Sequence, residues 1–410
     1  MNNEHSFQTL QEQRKQAVSY MLREITHICT QMKKRAPGSV GEHEAAEYLA
    51  ERLKQECGCS DVRLETFEEH PAAFYGYFML SGALDFLIPF LYPVSPILSL
   101  AVACLSLFLF VYQYVLYHPV LAPLSPRKTG TNVTATRPCS GEVRQRVLIS
   151  GHMDAAWEFP INYRFGGIAF EIFSVLALLG VCLSAVISVA GLFGCGWAHT
   201  GWLFSFIFIP FYVSVGLTYD PKRIVDGAND NLSGCYTGIA LLREMERSGI
   251  TLDHTEVGVI LTGSEEAGLL GARAWAKAHQ GEYKDVPTAI LCVDTIHTPE
   301  NLTVNFRDLN GTVPTDTALC ELFLQAAREM EVPCTKGMIP LMGGSTDSAA
   351  FVQGGFRAAS VTGLDHKLED YYHTRRDTCA NMAPEGLENC YAATVRLVEL
   401  IDVGALGTDR

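Results

Sequence analysis

Four long apolar stretches interrupt a chain that is otherwise polar and periodic. Phe86 to Tyr117 and Ile172 to Phe193 carry no charged residue, Ala72 to Tyr92 carries only Asp85, and Trp202 to Leu217 is shorter. A helix needs about 20 apolar residues to cross a bilayer, and buried core helices of that length seldom lack a charge. The pattern therefore favours four membrane-spanning helices over a set of buried core helices.

Turn-forming residues divide these stretches into two pairs. Two prolines lie in Tyr92-Pro93-Val94-Ser95-Pro96, and Gly194-Cys195-Gly196 separates the second pair. Each insertion must begin and end on the same folded unit, so each crosses a membrane an even number of times. We expect two antiparallel helical hairpins, at residues 72–117 and 166–217, that pack beside each other with apolar outer faces.

Aromatic residues cluster near the ends of these stretches. Tyr112, Tyr114 and Tyr117 lie together at one end, and Trp197 and Trp202 bracket the second break. Aromatic belts of this kind form where helices meet the membrane–water interface. We therefore interpret these five side chains as interfacial anchors.

Charged residues limit how the hairpins can be oriented. An acid inside a span costs about 2.5–3.5 kcal/mol, so Asp85 and Glu171 should point inward or toward the headgroups. The hairpin tips lack Lys and Arg, whereas the opposite flanks carry Arg127, Lys128, Arg164, Lys222 and Arg223. This bias predicts a multi-pass membrane protein whose remaining domain faces the cytoplasm. The thirteen cysteines contain no CxxC pair, which agrees with a reducing compartment.

The remaining segments alternate between strand and helix patterns. Strands are predicted at Ser60 to Phe67, Arg146 to Ser150, Val257 to Thr262 and Ala289 to Val293. Helices are predicted at Glu42 to Cys57, Ser233 to Arg247, Thr315 to Glu331 and Pro384 to Asp402. Alternation of this kind predicts an α/β domain with a largely parallel central sheet, formed by residues 1–71, 128–160 and 222–410.

Composition excludes some classes of partner. The net charge is −14 and the isoelectric point is about 5.3, which argues against nucleic acid as a partner. The polar start, Met1 to Lys15, predicts that no cleaved signal peptide is present.

Five short motifs supply side chains that suit a pair of metal ions. They are Ser150 to Asp154, Gly227 to Gly234, Glu265-Glu266, Asp294 and Tyr372-His373. Three of them lie at the carboxyl ends of predicted strands, where open α/β sheets place their sites. The mixture of imidazoles and carboxylates suits zinc in a hydrolytic site.

Each motif also has an ordinary interpretation when it is taken alone. His152 could be a core histidine, Asp230 a helix N-cap, and Glu265-Glu266 a solvated turn. Asp294 is harder to dismiss, because an unpaired carboxylate at the end of an apolar strand costs several kcal/mol. The joint occurrence of all five motifs, in the residue types that a two-metal hydrolase needs, outweighs these separate interpretations.

With these motifs the chain resembles the M28 family of zinc peptidases, in particular its aminopeptidase group. The resemblance covers roughly residues 25–67, 131–160 and 226–400, including Arg35-Ala36-Pro37-Gly38-Ser39. It implies a three-layer sandwich with a mixed sheet and two zinc ions. The implied ligands are His152 and Asp294 for one ion and Glu266 and His373 for the other, with Asp230 between both.

The same resemblance implies roles for four further features. Glu265 would be the general base, Asp154 would orient His152, and Tyr372 would hydrogen-bond the tetrahedral intermediate. The peptide bond between Asp230 and Asn231 would be cis. These assignments predict a membrane-embedded two-zinc exopeptidase, preferably an aminopeptidase, with peptide as substrate and the lipid bilayer as surroundings. A non-catalytic receptor or scaffold and a glutaminyl cyclase-like acyltransferase are the alternatives.

Overall fold

The computed structural model describes residues 3–284, 286–365 and 369–405. The last residues of the predicted peptidase domain, 406–410, lie outside the described residues. The helices are α1 (Asn3–Glu12), α2 (Arg14–Gln31), α3 (Val40–Glu56), α4 (Ala72–Leu91), α5 (Pro96–Leu109), α6 (Pro160–Phe165), α7 (Gly167–Leu192), α8 (Ala198–Ser205), α9 (Ile209–Gly216), α10 (Ser233–Arg247), α11 (Leu270–His279), α12 (Thr317–Glu329), α13 (Asp347–Gln353) and α14 (Pro384–Asp402). The strands are β1 (Asp61–Glu69), β2 (Lys128–Arg137), β3 (Gln145–His152), β4 (Trp157–Glu158), β5 (Asp220–Ile224), β6 (Thr255–Thr262), β7 (Thr288–Ile296), β8 (Thr303–Asn305), β9 (Arg307–Asp308), β10 (Val313–Pro314), β11 (Thr335–Gly337) and β12 (Arg357–Gly363).

A mixed sheet forms the centre of the molecule. Its strand order within the described residues is β1-β2-β6-β3-β7-β12-β8-β11. The four central strands β6, β3, β7 and β12 run parallel, and β1 and β2 extend the sheet in antiparallel pairing. The central strands are buried on both faces, as parallel strands usually are.

Helices cover both faces of this sheet. Val147 and Ile149 point into a core with α2, α3, α10, α12 and α14, whereas Leu148 points into a second core with α11 and α13. Alternation of side chains along a strand produces this division. The predicted three-layer α/β sandwich with a largely parallel sheet is therefore confirmed.

Two of the predicted strands extend further than their apolar residues. β3 continues through His152, which pairs with Thr262, and β7 continues through Ile296. Pairing with a neighbouring strand maintains the ladder where the side chains become polar. His152 and Asp294 consequently lie inside the ends of strands and not just beyond them.

Each apolar insertion begins and ends at a pair of antiparallel strands. The first lies between β1 and β2, whose register pairs Glu69 with Lys128. The second lies between β4 and β5, where Glu158 pairs with Asp220. Because the two ends of each insertion are held side by side, neither insertion separates the strands that flank it.

The insertions form one bundle of apolar helices, which we call the apolar bundle: α4, α5, α7 and the α8–α9 segment. The segments Ala72–Leu91, Pro96–Val115, Gly167–Leu192 and Ala198–Gly216 are each long and apolar enough to cross a membrane. As predicted, the two hairpins pack beside each other, with α4 against α9 and α5 against α7. At the α4–α9 crossing, a Cβ on Gly82 would lie 2.4 Å from the Gly216 nitrogen, so the backbones touch.

Asp85 points into this bundle, as predicted. Its side chain is only 4% exposed and accepts a hydrogen bond from the Ser106 hydroxyl on α5. Trp202 donates to the Pro89 carbonyl oxygen at 2.6 Å across the two hairpins. The Asp85 carboxylate and the Trp202 N–H group are thus satisfied by neighbouring helices, as an apolar medium requires.

The interpretation of Tyr117 as an interfacial anchor is wrong. Tyr117 is 8% exposed and packs against Phe74, and Tyr114 donates to the Met342 carbonyl oxygen at 3.0 Å. Of the three tyrosines, Tyr112 is the exposed one, at 43%. The end of the first hairpin is folded onto the sandwich, so Tyr114 and Tyr117 contact protein in place of an interface.

Candidate active site

The carboxyl ends of β3 and β7 bring together the first group of candidate ligands. His152 Nε2 lies 3.1 Å from Asp230 Oδ1 and 3.8 Å from Asp294 Oδ1. Asp294 Oδ1 accepts a 2.8 Å hydrogen bond from the Thr295 hydroxyl. His152, Asp230 and Asp294 are all buried, and each offers one ligand atom within 4.8 Å of the others.

Asp230 lies between this group and a second one. Its Oδ1 atom faces His152, and its Oδ2 atom lies 3.0 Å from His373 Nε2. His373 Nε2 is also 3.3 Å from Glu266 Oε1. One carboxylate therefore spans two imidazoles, which is the arrangement expected of a ligand shared by two ions.

The loop before α10 fixes the Asp230 carboxylate. The Asp377 side chain accepts from the Asn229 and Asp230 N–H groups at 2.8 and 3.1 Å. Asn231 donates to the Val293 carbonyl oxygen at 2.9 Å. The peptide bond between Asp230 and Asn231 is cis, so that prediction is confirmed.

Asp154 connects the strand bearing His152 to the turn bearing both glutamates. It accepts from the Glu265 and Glu266 N–H groups at 3.1 Å each. Its Oδ1 atom also lies 3.4 Å from His152 Nδ1, on the side of the ring away from the other ligands. Glu265 Oε2 approaches His152 Nε2 at 3.8 Å. Asp154 is therefore positioned to orient the imidazole and the turn together.

The second insertion holds the loop of Tyr372 and His373. Phe159 donates to the His373 carbonyl oxygen at 2.7 Å, and Asn162 donates to that of Tyr372 at 2.7 Å. Glu158 is 1% exposed and accepts two hydrogen bonds from the Arg375 guanidinium, at 2.7 and 2.6 Å. The position of this loop therefore depends on the residues that lead into α7.

Negative charge exceeds positive charge in this buried space. Burial lowers the pKa of His373, but the carboxylates of Glu266 and Asp230 outweigh it and raise that pKa to about 10. Burial raises the pKa of Glu266 to about 7 and raises the pKa of Glu265 well above its ordinary value. A cation would relieve this repulsion between acidic groups.

The donor set fits a metal pair. Asp230 Oδ2 and Glu266 Oε1 are buried, yet neither has a regular hydrogen-bond partner among the described residues. Oxygens left in this state are costly unless another partner, such as a metal ion, takes the lone pair. Imidazole nitrogen and carboxylate oxygen are the ligands that zinc uses in hydrolytic sites.

The cluster opens into a pocket of about 110 Å³ whose wall was not predicted from sequence. Tyr117 and Tyr219, at the ends of the two insertions, line it with Phe159 and Tyr372. The aromatic content of the insertion ends was the available signal, but it suits an interface equally well. Asp377 was also missed, because an acid four residues after His373 has no distinguishing pattern.

Comparisons with known proteins agree with this geometry. Residues 212–398 match the sequence model of peptidase family M28. The zinc aminopeptidase BSAP of Bacillus subtilis has a TM-score of 0.56 and 13% identity, over 94% of this chain and 95% of that one. The LapA aminopeptidase of Legionella pneumophila has a TM-score of 0.55 and 14% identity, over 99% of this chain and 76% of that one.

A glutaminyl cyclase shares the fold as well. The enzyme of Porphyromonas gingivalis has a TM-score of 0.53 and 10% identity, over 94% of this chain and 97% of that one. No curated protein matches the sequence significantly. The family match, joined to the shared sandwich, leads to one conclusion: residues 212–398 of this chain are an M28 peptidase domain, on the fold of the zinc aminopeptidases.

Proposed function

We propose that this protein is a membrane-embedded two-zinc exopeptidase of the aminopeptidase type. The observation that carries the proposal is the position of Asp230, whose two oxygens lie about equally close to His152 and His373. Asp294 completes one set of ligands and Glu266 the other. Two ions held in this way would polarise the scissile carbonyl and lower the pKa of water.

The surrounding side chains supply the proton chemistry. Glu265 lies beside His152 and is not needed as a ligand, and burial raises the pKa of its carboxyl group. It is therefore suited to take a proton from water and return it to the leaving amine. The Tyr372 hydroxyl can donate a hydrogen bond to the oxygen that gains negative charge, because its ring lines the same pocket.

The apolar bundle supports embedding in a bilayer. Five apolar side chains on its outer surface are between 46% and 65% exposed: Leu87, Ile97, Leu105, Val186 and Leu203. Contiguous apolar surface on this scale is rare on soluble monomers. The basic flanks of the insertions support a cytoplasmic position for the peptidase domain, because the positive-inside bias favours Lys and Arg on that side.

An assay with purified protein in lipid nanodiscs tests the proposal. Aminoacyl anilides and dipeptides should be hydrolysed, and a chelator should stop the reaction until zinc is returned. Peptides with a blocked amino terminus should be poor substrates, because an aminopeptidase requires the free amine. Cleavage of blocked peptides from the carboxyl end would contradict the aminopeptidase assignment.

Two outcomes would replace the proposal. Conversion of an amino-terminal glutaminyl peptide to a cyclic product with release of ammonia, and without peptide hydrolysis, would identify the cyclase alternative. Tight binding of peptides without turnover in the presence of zinc would identify a receptor or scaffold. The intact set of ligands and the adjacent Glu265 favour hydrolysis over both.

A further inference from the structure

A second cavity lies next to the catalytic pocket, inside the apolar bundle. It has a volume of about 200 Å³ and is lined by Leu107, Phe110, Leu178 and Val181, among other apolar side chains. Phe78, Tyr114, Phe170, Glu171 and Met342 line both this cavity and the pocket of the metal ligands. The two spaces are therefore neighbours with a shared wall of side chains.

The bundle cavity also reaches the outer surface of the bundle. Val175 on α7 lines the cavity and is 54% exposed, and Leu341 lines it and is 59% exposed. A molecule dissolved in the bilayer could thus enter beside α7. Asp85 and Ser106 also line the cavity, but they are hydrogen-bonded to each other, which reduces the polarity they present.

A polar cleft on the sandwich also adjoins the ligands. It has a volume of about 360 Å³, and it is lined by Thr303, Asn305 and Thr335 together with Asp294 and Tyr372 of the catalytic pocket. The pocket of the metal ligands therefore adjoins both an apolar space in the bundle and a polar space on the sandwich.

We propose that the substrate is an amphipathic amide: a hydrocarbon chain on one side of the scissile bond and an amino acid or peptide on the other. The chain would lie in the bundle cavity, and the polar part would lie in the cleft. This inference rests on the proposed hydrolytic function and specifies its substrate class. Water adds its oxygen to the carbonyl carbon, the C–N bond breaks, and the nitrogen leaves as an amine after gaining a proton.

The size and lining of the cavity support a hydrocarbon occupant. An apolar cavity of about 150 Å³ is large enough to hold a benzene molecule, so this cavity can hold several carbons of a chain. The free energy of burying one methylene group corresponds to about a fourfold gain in kcat/KM, so kcat/KM should rise by this factor per methylene until the cavity is filled. An ordinary apolar amino-acid side chain is shorter than a hydrocarbon chain, so it would fill only the part of the cavity nearest the ligands and would give a smaller gain in kcat/KM.

Two substrate series in nanodiscs test the proposal with the full-length zinc enzyme. One runs from N-acetyl-alanine to N-palmitoyl-alanine, and the other runs from alanyl methylamide to alanyl hexadecylamide. The value of kcat/KM should rise with chain length in one series, which also identifies the side of the scissile bond that bears the chain. A rise in the alkylamide series agrees with the aminopeptidase assignment, because those substrates keep a free amine. A rise in the N-acyl series would keep the substrate class and the hydrolysis but would replace that assignment with an N-acyl amidase. A flat profile in both series would overturn the inference.

Variants on α7 connect the effect to the cavity. Ser174 and Leu178 both line the bundle cavity. Ser174→Phe should therefore fill the cavity and lower kcat/KM for long chains at least tenfold, while short substrates are unaffected. Leu178→Ala should instead extend the chain length that gives the highest kcat/KM. Val186→Phe, on the outer face of the same helix, is the matched control and should match the wild type. Equal long-chain kinetics in Ser174→Phe and Val186→Phe would contradict the proposal.

A binding measurement separates this inference from the proposed function. A palmitoyl-alanine with a photoreactive diazirine on its chain, added to chelator-treated protein, should label peptides from residues 72–115 and 167–192. Excess unlabelled palmitoyl-alanine should compete, and Ser174→Phe should reduce the labelling. Hydrolysis of short peptides without chain-length dependence or competed labelling would refute the substrate class alone. Competed labelling without any hydrolysis would refute the peptidase and leave a lipid-amide binding site.

Discussion

The pocket of the metal ligands and the cavity in the apolar bundle adjoin each other, yet their buried acids are arranged differently. In the bundle, Asp85 stands beside one serine hydroxyl, which suffices as a partner. In the pocket, Glu265, Glu266, Asp230 and Asp294 crowd around two imidazoles. The clustered carboxylates of the pocket can bind a cation, whereas Asp85 in the bundle has a neutral hydrogen-bond partner.

The difference follows from the elements that carry the side chains. Parallel strand ends and short loops point several acids at one place. The carboxylates of Asp377 and Asp154 fix these acids by accepting hydrogen bonds from the Asp230 and Glu265 N–H groups. Neighbouring helices in the bundle meet through small or apolar residues, so a single acid is isolated. Variants should accordingly affect catalysis in the pocket and assembly in the bundle.

Metal removal should have the largest effect. Chelation should reduce peptide hydrolysis to the background rate, because no remaining group can replace the cations as electrophile. Zinc should restore the activity, and the protein should stay in the membrane fraction throughout alkaline washing. Full activity in the chelated protein, with the loss of metal confirmed by mass spectrometry, would show that the clustered acids of the pocket do not act by holding cations.

Glu265→Gln should lower kcat by about 10²-fold or more and retain both metals, since the amide cannot carry the proton. Metal content by mass spectrometry and single-turnover rates measure the two effects separately. Glu47→Gln, at an exposed site on α3, is the control and should behave as the wild type. A variant with near wild-type kcat would show that another group is the base.

Glu158→Gln should lower kcat by about tenfold, the lower end of the range for residues that support metal ligands. The neutral amide cannot form the ion pair that the Glu158 carboxylate forms with the Arg375 guanidinium, so the Tyr372–His373 loop should shift. Steady-state kinetics and the zinc dissociation constant test this, with Glu68→Gln, at an exposed residue, as the control. An unchanged zinc affinity and kcat would show that the second insertion does not position the site.

Glu69→Gln should change the pH dependence of stability. Burial raises the pKa of Glu69 to about 7, so between its usual value and about 7 the folded protein keeps a proton that the unfolded chain releases. Stability is thus fully present at low pH and falls as pH rises through this window. The free energy of unfolding of the variant, measured relative to that of the wild type, should increase by about 1–3 kcal/mol as the pH is raised from about 5 to about 8. Melting curves that differ equally at both pH values would contradict the shift.

Asp85→Asn should have the smallest effect, a change of about 1 kcal/mol or less in the free energy of unfolding. The amide can still accept the hydrogen bond from Ser106, so the contact between α4 and α5 persists. Melting in nanodiscs measures the change, with Ser106→Ala as the partner variant. A large loss in Asp85→Asn alone would show that the bundle, like the pocket, depends on a negative charge.

Much of the sandwich was predictable because its local patterns agree with its tertiary contacts. The bounds of α10 and α14 follow the amphipathic pattern at Ser233–Arg247 and Pro384–Asp402. The ligands were predictable as a set, because carboxyl ends of parallel strands meet at one edge. The ligand roles themselves came from the family resemblance and stay predictions.

Other features depend on contacts that a sequence pattern does not encode. Tyr117 lies in an apolar stretch whether it contacts lipid or Phe74, so its place over the pocket could not be deduced. The extension of β3 to His152 depends on pairing with Thr262, a residue far along the chain. The bundle cavity likewise results from two hairpins whose separate sequences predict only spans.

The contact between Gly82 and Gly216 sets an order of events during biosynthesis. The first hairpin leaves the ribosome before the second, so the surface around Gly82 has no protein partner until α9 has been made. In a bilayer, as proposed above, the hairpins would insert separately and associate afterwards, through close backbone packing. The bundle cavity would form at that last step, so the proposed hydrocarbon chain could bind only once both hairpins have associated.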